Sequence, residues 1–265
     1  MTELHFISKG GTMKRFILLI FFLFMQQIVV AEEVIRYEGS STIGSFLASI
    51  DEHYKPARFV IKTASESLGG ERCASRQRCD LGGVARRVHP RYVKKGLYKT
   101  LMGKDAIALI INKANPVENL NASQLRDIFT NQTKNWSTVG GQNLSIHPLI
   151  PRSTSAARQV FSQKVLDGEK YRGTKVVTPN RRILSVVAND KRAIGLVSFS
   201  LLNSKVKKIR VNGQTVTTEN TNYPLTRPLY LVTQDRPKGK VKAFLNWLTS
   251  KEGQKLVKRQ FIGVN

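Results

Sequence analysis

Short apolar runs alternate with amphipathic stretches along the chain. Val34 to Tyr37, Arg58 to Thr63, Ala106 to Asn112, Ser145 to Ile150, Ala193 to Phe199 and Leu229 to Thr233 are rich in β-branched and aromatic residues and predict strands. The stretches between them carry apolar residues at helical spacing, which predicts an α/β chain. Two helix starts are marked by their chemistry. Asn121 precedes Ala122-Ser123-Gln124 and the run Leu125 to Phe129, so an Asn N-cap with Gln at the third helical position predicts a capping box. Ser155 stands ahead of Ala156 to Leu166, which is apolar at Val160, Phe161 and Val165. Val241 to Gln260 places Phe244, Leu245, Trp247, Leu248, Leu256 and Val257 on one helical face, a core pattern that gives Trp247 no functional role. Trp136 is expected to fill a core in the same way. No internal repeat or low-complexity tract interrupts the pattern.

The N-terminus decides the compartment. Lys14 and Arg15 are followed by an apolar run from Phe16 to Met25, then Gln26-Gln27, then Val29-Val30-Ala31. This is the pattern of a secretory signal peptide over residues 1 to 31, cleaved after Ala31 and directing the protein to the periplasm. The competing reading, an uncleaved anchor, needs an apolar span of roughly 20 residues, and the Gln pair closes this one early. Met13 directly precedes Lys14 and is an alternative start. No Cys lies near the cleavage site to carry a lipid. Cys73 and Cys79 are the only two cysteines, and in an oxidising compartment they are expected to form a disulfide.

The whole chain carries 43 Lys and Arg against 18 Asp and Glu, a formal charge of +25. Residues 1 to 31 hold Lys9, Lys14, Arg15 and Glu3, so 40 basic and 17 acidic residues remain after cleavage, giving +23. Such an excess attracts anions of every kind. The basic residues are scattered and form no unbroken block, so no specific nucleic-acid partner is expected. The length suffices for one large core or two modest ones.

Three segments place Gly, Ser or Thr directly after predicted strands: Gly39-Ser40-Ser41-Thr42, Ser65-Glu66-Ser67-Leu68-Gly69-Gly70, and Arg152-Ser153-Thr154-Ser155-Ala156-Ala157-Arg158. A helix N-terminus offers free N–H donors and a partial positive charge, so an anion is stabilised there without a dedicated cation. Any one of these segments reads equally as an ordinary N-cap. Three in one chain favour an anion site. His53, His89 and His147 are dispersed and form no HExxH spacing, so neither a metal site nor a cofactor is expected. A phosphatase would need metal ligands or a nucleophile with its base, and neither is present as a motif. The expectation is a binding protein without catalysis.

Longer motifs sharpen this. The stretch from Asp105 to Phe129, DAIALIINKANPVENLNASQLRDIF, continues to Asn135-Trp136-Ser-Thr-Val-Gly-Gly141. With Ala193-Ile-Gly-Leu-Val197 and Phe244-Leu-Asn-Trp-Leu-Thr-Ser-Lys-Glu-Gly-Gln254, it resembles the phosphate-binding subunit of the high-affinity phosphate ABC importer, over about Val34 to Val264. The resemblance implies a two-lobed periplasmic-binding-protein fold of type II, each lobe a mixed sheet flanked by helices. Lobe one would hold residues 32 to 106 and 229 to 265, and lobe two residues 107 to 228. The chain would cross near Asp105 to Leu109 and Pro224 to Leu229.

The implied ligand is inorganic phosphate, gripped between the lobes of a monomer and handed to an inner-membrane ABC permease. The implied contacts are Ser41, Thr42 and the Ile43 backbone, then Ser67, then Arg152, Ser155 and the backbone of Ala156 and Ala157. This chain also departs from the family pattern. Where Ser-Gly-Thr-Arg is usual it has Ser155-Ala-Ala-Arg158, which removes a hydroxyl at Ala157. The preceding arginine lies one residue nearer than usual, so Arg152 and Arg158 both stand as candidates. Ala85 occupies a position where some members carry an acid or serine facing the ligand, and Arg86 beside it is a candidate to compensate by charge. These departures keep open a second reading, a cationic oxyanion- or polyanion-binding or signalling protein of the same fold with weakened phosphate selectivity.

Overall fold

The computed structural model describes residues 33 to 264. The signal peptide and its alternative start at Met13 lie outside the described residues. Among the described residues no helix is long and apolar enough to cross a membrane.

The first third of the chain is a repeated strand–helix unit. β1 (Glu33–Gly39) leads into α1 (Ser41–Ile50), β2 (Ala57–Lys62) into α2 (Glu66–Ser75), and β3 (Leu81–Val84) follows. All three strands are parallel, with β1 in the middle: Tyr37 faces Ile61 on one side and Leu81 on the other. The apolar runs fix this, because alternate positions of β1 are buried and pack on α1 through Phe46 and Leu47. A short α3 (Pro90–Val93) precedes β4 (Leu97–Ile111).

The middle of the chain adds β5 (Asn119–Leu120), α4 (Ala122–Phe129), β6 (His147–Ile150), α5 (Ala156–Phe161), β7 (Lys175–Val176), α6 (Arg182–Asn189), β8 (Ala193–Ser198), β9 (Lys207–Lys208) and β10 (Arg210–Val211). α5 runs on through a π-helical turn, Ser162–Leu166. β11 (Thr226–Gln234), α7 (Gly239–Thr249) and α8 (Lys251–Lys258) complete the chain. The main sheet has the order β2-β1-β3-β11-β4-β8-β6-β7, with β9 against β4, and β10 pairs β5 separately.

One strand, β4, ties the halves of this mixed sheet together, with β11 beside its first part. β4 pairs antiparallel with β11 from Leu97 to Ala106, then with β8 from Ile107 to Ile111. Two hydrophobic cores lie along it. One gathers Tyr37, Phe46, Met102, Leu229, Phe244 and Phe261, and the other gathers Ile107 to Ile111, Phe129, Trp136, Phe161 and Leu225. The sequence predicts only the second half of β4. Its first half carries Lys99 and Lys104 and is partly exposed, so it lacks the continuous apolar run that marks a strand buried on both faces.

The capping box at Asn121 forms in full: the Gln124 amide donates to Asn121 Oδ1 at 2.8 Å and the Asn121 amide to Gln124 Oε1 at 2.9 Å. The C-terminal helix expected over 241 to 260 is instead two helices. Ser250 turns out of helical geometry and its hydroxyl accepts from the Gly253 amide. Serine at an N-cap competes with helix continuation by offering this local bond. Trp136 is fully buried in the second core, where its indole N–H donates to the Arg192 carbonyl at 2.9 Å.

At the junction of the cores, Arg227 on β11 makes two hydrogen bonds to Asp105 Oδ2 on β4, at 3.0 and 2.7 Å. Ser198 donates to the other carboxylate oxygen at 2.9 Å. Both charges are buried, so each depends on its partner to offset desolvation. Asp105→Ala strands the Arg227 charge, and is expected to lower unfolding free energy by about 3 to 5 kcal/mol in denaturant titration, while Ser198→Ala costs about 1 kcal/mol.

Candidate functional site

Three helix starts follow the carboxyl ends of parallel strands, the place where open α/β sheets form ligand crevices. In α1 the first intrahelical bond is from the Gly44 amide to the Ser40 carbonyl, so the amides of Ser41, Thr42 and Ile43 precede the ladder. In α2 it is Gly69 to Ser65, which leaves those of Ser67 and Leu68 ahead of it. In α5 it is Gln159 to Ser155, ahead of which lie Ala156, Ala157 and Arg158. α2 comes unusually close to the sheet because Gly70 has no side chain: a Cβ there would stand 2.8 Å from the Gly83 amide nitrogen.

Side chains from separate segments meet at the first of these starts. The Asn180 amide, in the loop before α6, lies 3.0 Å from Glu66 Oε1, 3.3 Å from Ser155 Oγ and 3.4 Å from Ser41 Oγ. The Ser41 amide donates to Glu66 Oε2 at 3.2 Å. Ser41 and Ser155 therefore share one partner across 114 residues of chain. Ser67 is fully buried, and its hydroxyl accepts from the Ala85 amide at 3.0 Å. Thr42 Oγ1 accepts from Arg227 at 3.0 Å. The Ile43 side chain is buried in the first core, leaving only its backbone to act in the site. Ala156 and Ala157 are buried, Ala156 against the first core and Ala157 against the second.

The arginines divide. Arg152 donates to the Ala64 carbonyl at 3.0 Å, and its charge acts on Glu66. Arg158 instead lies over the Tyr171 ring, 5.0 Å from its centroid, and donates to the Pro151 carbonyl at 3.3 Å. Arg86 forms a two-pronged pair with Glu71 at 2.6 and 2.8 Å and donates to Gln159 at 2.7 Å. Arg158 and Arg86 are thus committed elsewhere, and Arg152 is the candidate arginine next to the shared cluster.

Glu66 and Asn180 were not singled out from the sequence. Asn180 lies in a polar loop with no periodicity to mark it. Glu66 stands inside the second Ser and Gly segment, yet an acid at an anion site reads as a contradiction. Its backbone has φ +53°, the left-handed region that disfavours a residue with a Cβ. Burial pushes its carboxyl above the usual carboxylate range, against the Ser41 amide and hydroxyl and the charges of Arg227 and Arg152, which draw it down.

Cys73 and Cys79 are joined in a disulfide with their Cα atoms 5.6 Å apart. The bridge ties the end of α2 to the approach to β3. Closing so short a loop contributes about 2 kcal/mol. Among the described residues no group of three or more His, Cys, Asp or Glu side chains is placed to hold a metal. His147 pairs with Asp190 at 3.0 Å, away from the cluster.

Because the folded Glu66 carboxyl is raised, its neutral form favours folding. That contribution is complete below the ordinary glutamate range, about pH 4, and is lost as pH rises through the folded value. In oxyanion-free buffer the stability of the native protein relative to Glu66→Gln is expected to fall over that interval and then level off, as read by thermal unfolding at successive pH values. A difference that does not change with pH contradicts the assignment.

Residues 29–252 match the family model of the PBP superfamily domain. A relative called phosphate-binding protein PstS, from Staphylococcus epidermidis, is 25% identical over 244 residues, covering 82% of this chain and 74% of its own. One of the same name from Borreliella burgdorferi is 22% identical over 277 residues, covering 95% and 99%. Among solved structures, a Clostridium perfringens protein described as a phosphate ABC transporter substrate-binding protein with bound phosphate is 27% identical with a TM-score of 0.82, over 88% of this chain and all of its own. A Vibrio cholerae structure described as an ABC-type phosphate transport receptor has a TM-score of 0.72 at 23% identity, covering 85% and 98%, and supports the fold. The mixed sheet that β4 carries from one core to the other, the meeting of Ser41, Glu66, Ser155 and Asn180, and a family match over residues 29–252 lead to one conclusion: this chain belongs to the PBP superfamily and has its two-lobed type II fold.

Proposed function

We propose that this protein captures inorganic phosphate between its lobes and delivers it to an inner-membrane ABC permease, from the periplasm, as a monomer and without chemical conversion. The observation that carries the reading is the meeting of Ser41 and Ser155, from two separate helix starts, at the Asn180 amide. Lobe one comprises residues 32 to 106 and 229 to 265, and lobe two residues 107 to 228.

Phosphate takes hydrogen bonds from the Ser41 hydroxyl, the first-turn amides of Thr42 and Ile43, the Ser67 segment, Asn180, Ser155, and the amides of Ala156 and Ala157. Hydroxyls donate to bare oxygens and accept from a protonated one, which suits a ligand that is part mono- and part dianion at neutral pH. Arg152 supplies a charge that cannot titrate away. Each such bond to a charged ligand contributes about 1.5 to 3 kcal/mol, so several of them, after ordering costs, support micromolar binding. The relatives and the solved structure named above carry the same activity in their names, which supports the assignment.

Calorimetric titration of the mature protein with phosphate and with sulfate tests it. Heat of binding with phosphate is expected, and none at millimolar phosphate would refute the proposal. Arg152→Ala is expected to weaken phosphate by about tenfold or more, whereas Arg158→Ala, stacked on Tyr171, leaves it within about threefold. The reverse order would exchange their roles.

One observation favours the second reading, binding of larger polyanions. A pocket of about 640 Å³ is lined by Arg87, His89, Lys104 and Lys164, and by Arg86 and Arg227, which already pair with Glu71 and Asp105. Burial and the nearby Arg87 charge lower the Lys164 ammonium below its ordinary value. Like charges facing one another in a partly apolar pocket favour an anion between them. Tripolyphosphate that binds in the presence of orthophosphate, weakens steeply as salt rises and is lost in Arg87→Ala and Lys164→Ala would establish this site. No binding beyond orthophosphate would remove it.

A further inference from the structure

The donors that phosphate would use are already spoken for in part by an acid of the protein itself. Glu66 Oε2 accepts the amide of Ser41, the first residue of α1, and Oε1 accepts from Asn180, the side chain that also reaches Ser41 and Ser155. Glu66 is 7% exposed, so these contacts lie inside the structure. It is reached at a backbone cost, since φ is +53° at the first residue of α2, a conformation that glycine would adopt without strain. A strained backbone that inserts a buried carboxylate among anion-seeking donors is a specific arrangement.

We propose that Glu66 is a built-in competitor for the anion seat, so that a ligand binds only by displacing its carboxylate from the Ser41 amide and Asn180. This deepens the phosphate reading and rests on it. The competitor sets a threshold for selection. Small monoanions such as chloride, nitrate or acetate bring no more charge and no more acceptors than the carboxylate they must expel. A tetrahedral dianion brings both, and so wins the donors. Apparent affinity is the intrinsic affinity reduced by the fraction of molecules whose seat is vacated.

Displacement also couples binding to protons. The charged groups facing Glu66 are Arg152, from the segment before α5, and Arg227 on β11, which already answers to Asp105 on β4. Tyr37 on β1 faces it as a buried neutral phenol, and Glu38 on the same strand accepts from the Ser65 hydroxyl at 2.6 Å. Among the described residues Arg152 and Arg227 are the cations that act on Glu66, and Arg227 already answers to Asp105, so Glu66 and a phosphate dianion together outweigh them. The expelled carboxylate, next to a dianion, takes up a proton. Binding therefore tightens as pH falls, by an amount that a neutral residue at this position would not show.

The test compares the mature native protein with Glu66→Gln, nearly isosteric, and Glu66→Gly, which suits the left-handed backbone. All three are first shown to unfold cooperatively on heating. Phosphate affinity is then measured by calorimetry at pH 6 and pH 8, in two buffers of different ionisation heat. Both variants are expected to bind phosphate about tenfold tighter than the native protein at pH 8 and to admit acetate or nitrate more readily. The native protein is expected to take up more protons on binding, up to one, than either variant. Ionisation of phosphate itself is common to all three and cancels in the comparison. Variants that bind phosphate equally or more weakly, with the same proton uptake, overturn the competitor role while leaving phosphate capture intact. Failure of all three to bind phosphate at millimolar concentration overturns phosphate capture, and this inference with it.

Discussion

The amides at the start of a helix have no partner inside that helix, and where such a start is buried something else must satisfy them. This constraint organises the site. α1, α2 and α5 each begin at the carboxyl end of a parallel strand, and Ser41, Glu66 and Ser155 from these three starts share Asn180 as a partner. The Ser41 amide is met by Glu66, and Asn180 reaches the oxygens of Glu66, Ser41 and Ser155. Orphan amides of this kind can be satisfied by a carboxylate of the chain or by an external oxyanion, which is why the two compete in the proposal above.

A second interaction links the site to the frame. Asp105 sits on β4, the strand that runs between the cores, Arg227 on its neighbour β11, and the guanidinium also reaches Thr42 in the first turn of α1. The pair that joins β4 to β11 is thus bonded directly to Thr42, a residue of the proposed anion site. On the lobe division proposed above, movement of one lobe against the other would move Thr42 or strain the buried ion pair. That coupling is what a capture protein requires, because ligand contacts made in one geometry should favour that geometry.

Much of the fold is legible in the chain because its cause is local. β1 and β2 interleave apolar with charged positions, β6 and β8 are short mostly apolar runs, and Asn121 with Gln124 specifies a cap through side chains three residues apart. The missing half of β4 and the break at Ser250 were hidden because partial exposure and a single serine leave no periodic signal. The helix starts of the site were visible for the same local reason as the cap. What the sequence left open depends on long-range placement: Arg158 lies over the Tyr171 ring, while the charge of Arg152 acts on Glu66. Asn180 is significant only because the fold carries it beside Ser41, and Glu66 only because a left-handed backbone turns it inward.

The most direct test of the account is a crystal structure of the mature protein grown with phosphate. Tetrahedral density is predicted among Ser41, Asn180 and Ser155, within hydrogen-bonding distance of the first amides of α1 and close to Arg152, with the Glu66 carboxylate withdrawn from the Ser41 amide. A saturated protein with the Glu66 bonds intact and the anion bound elsewhere would contradict it.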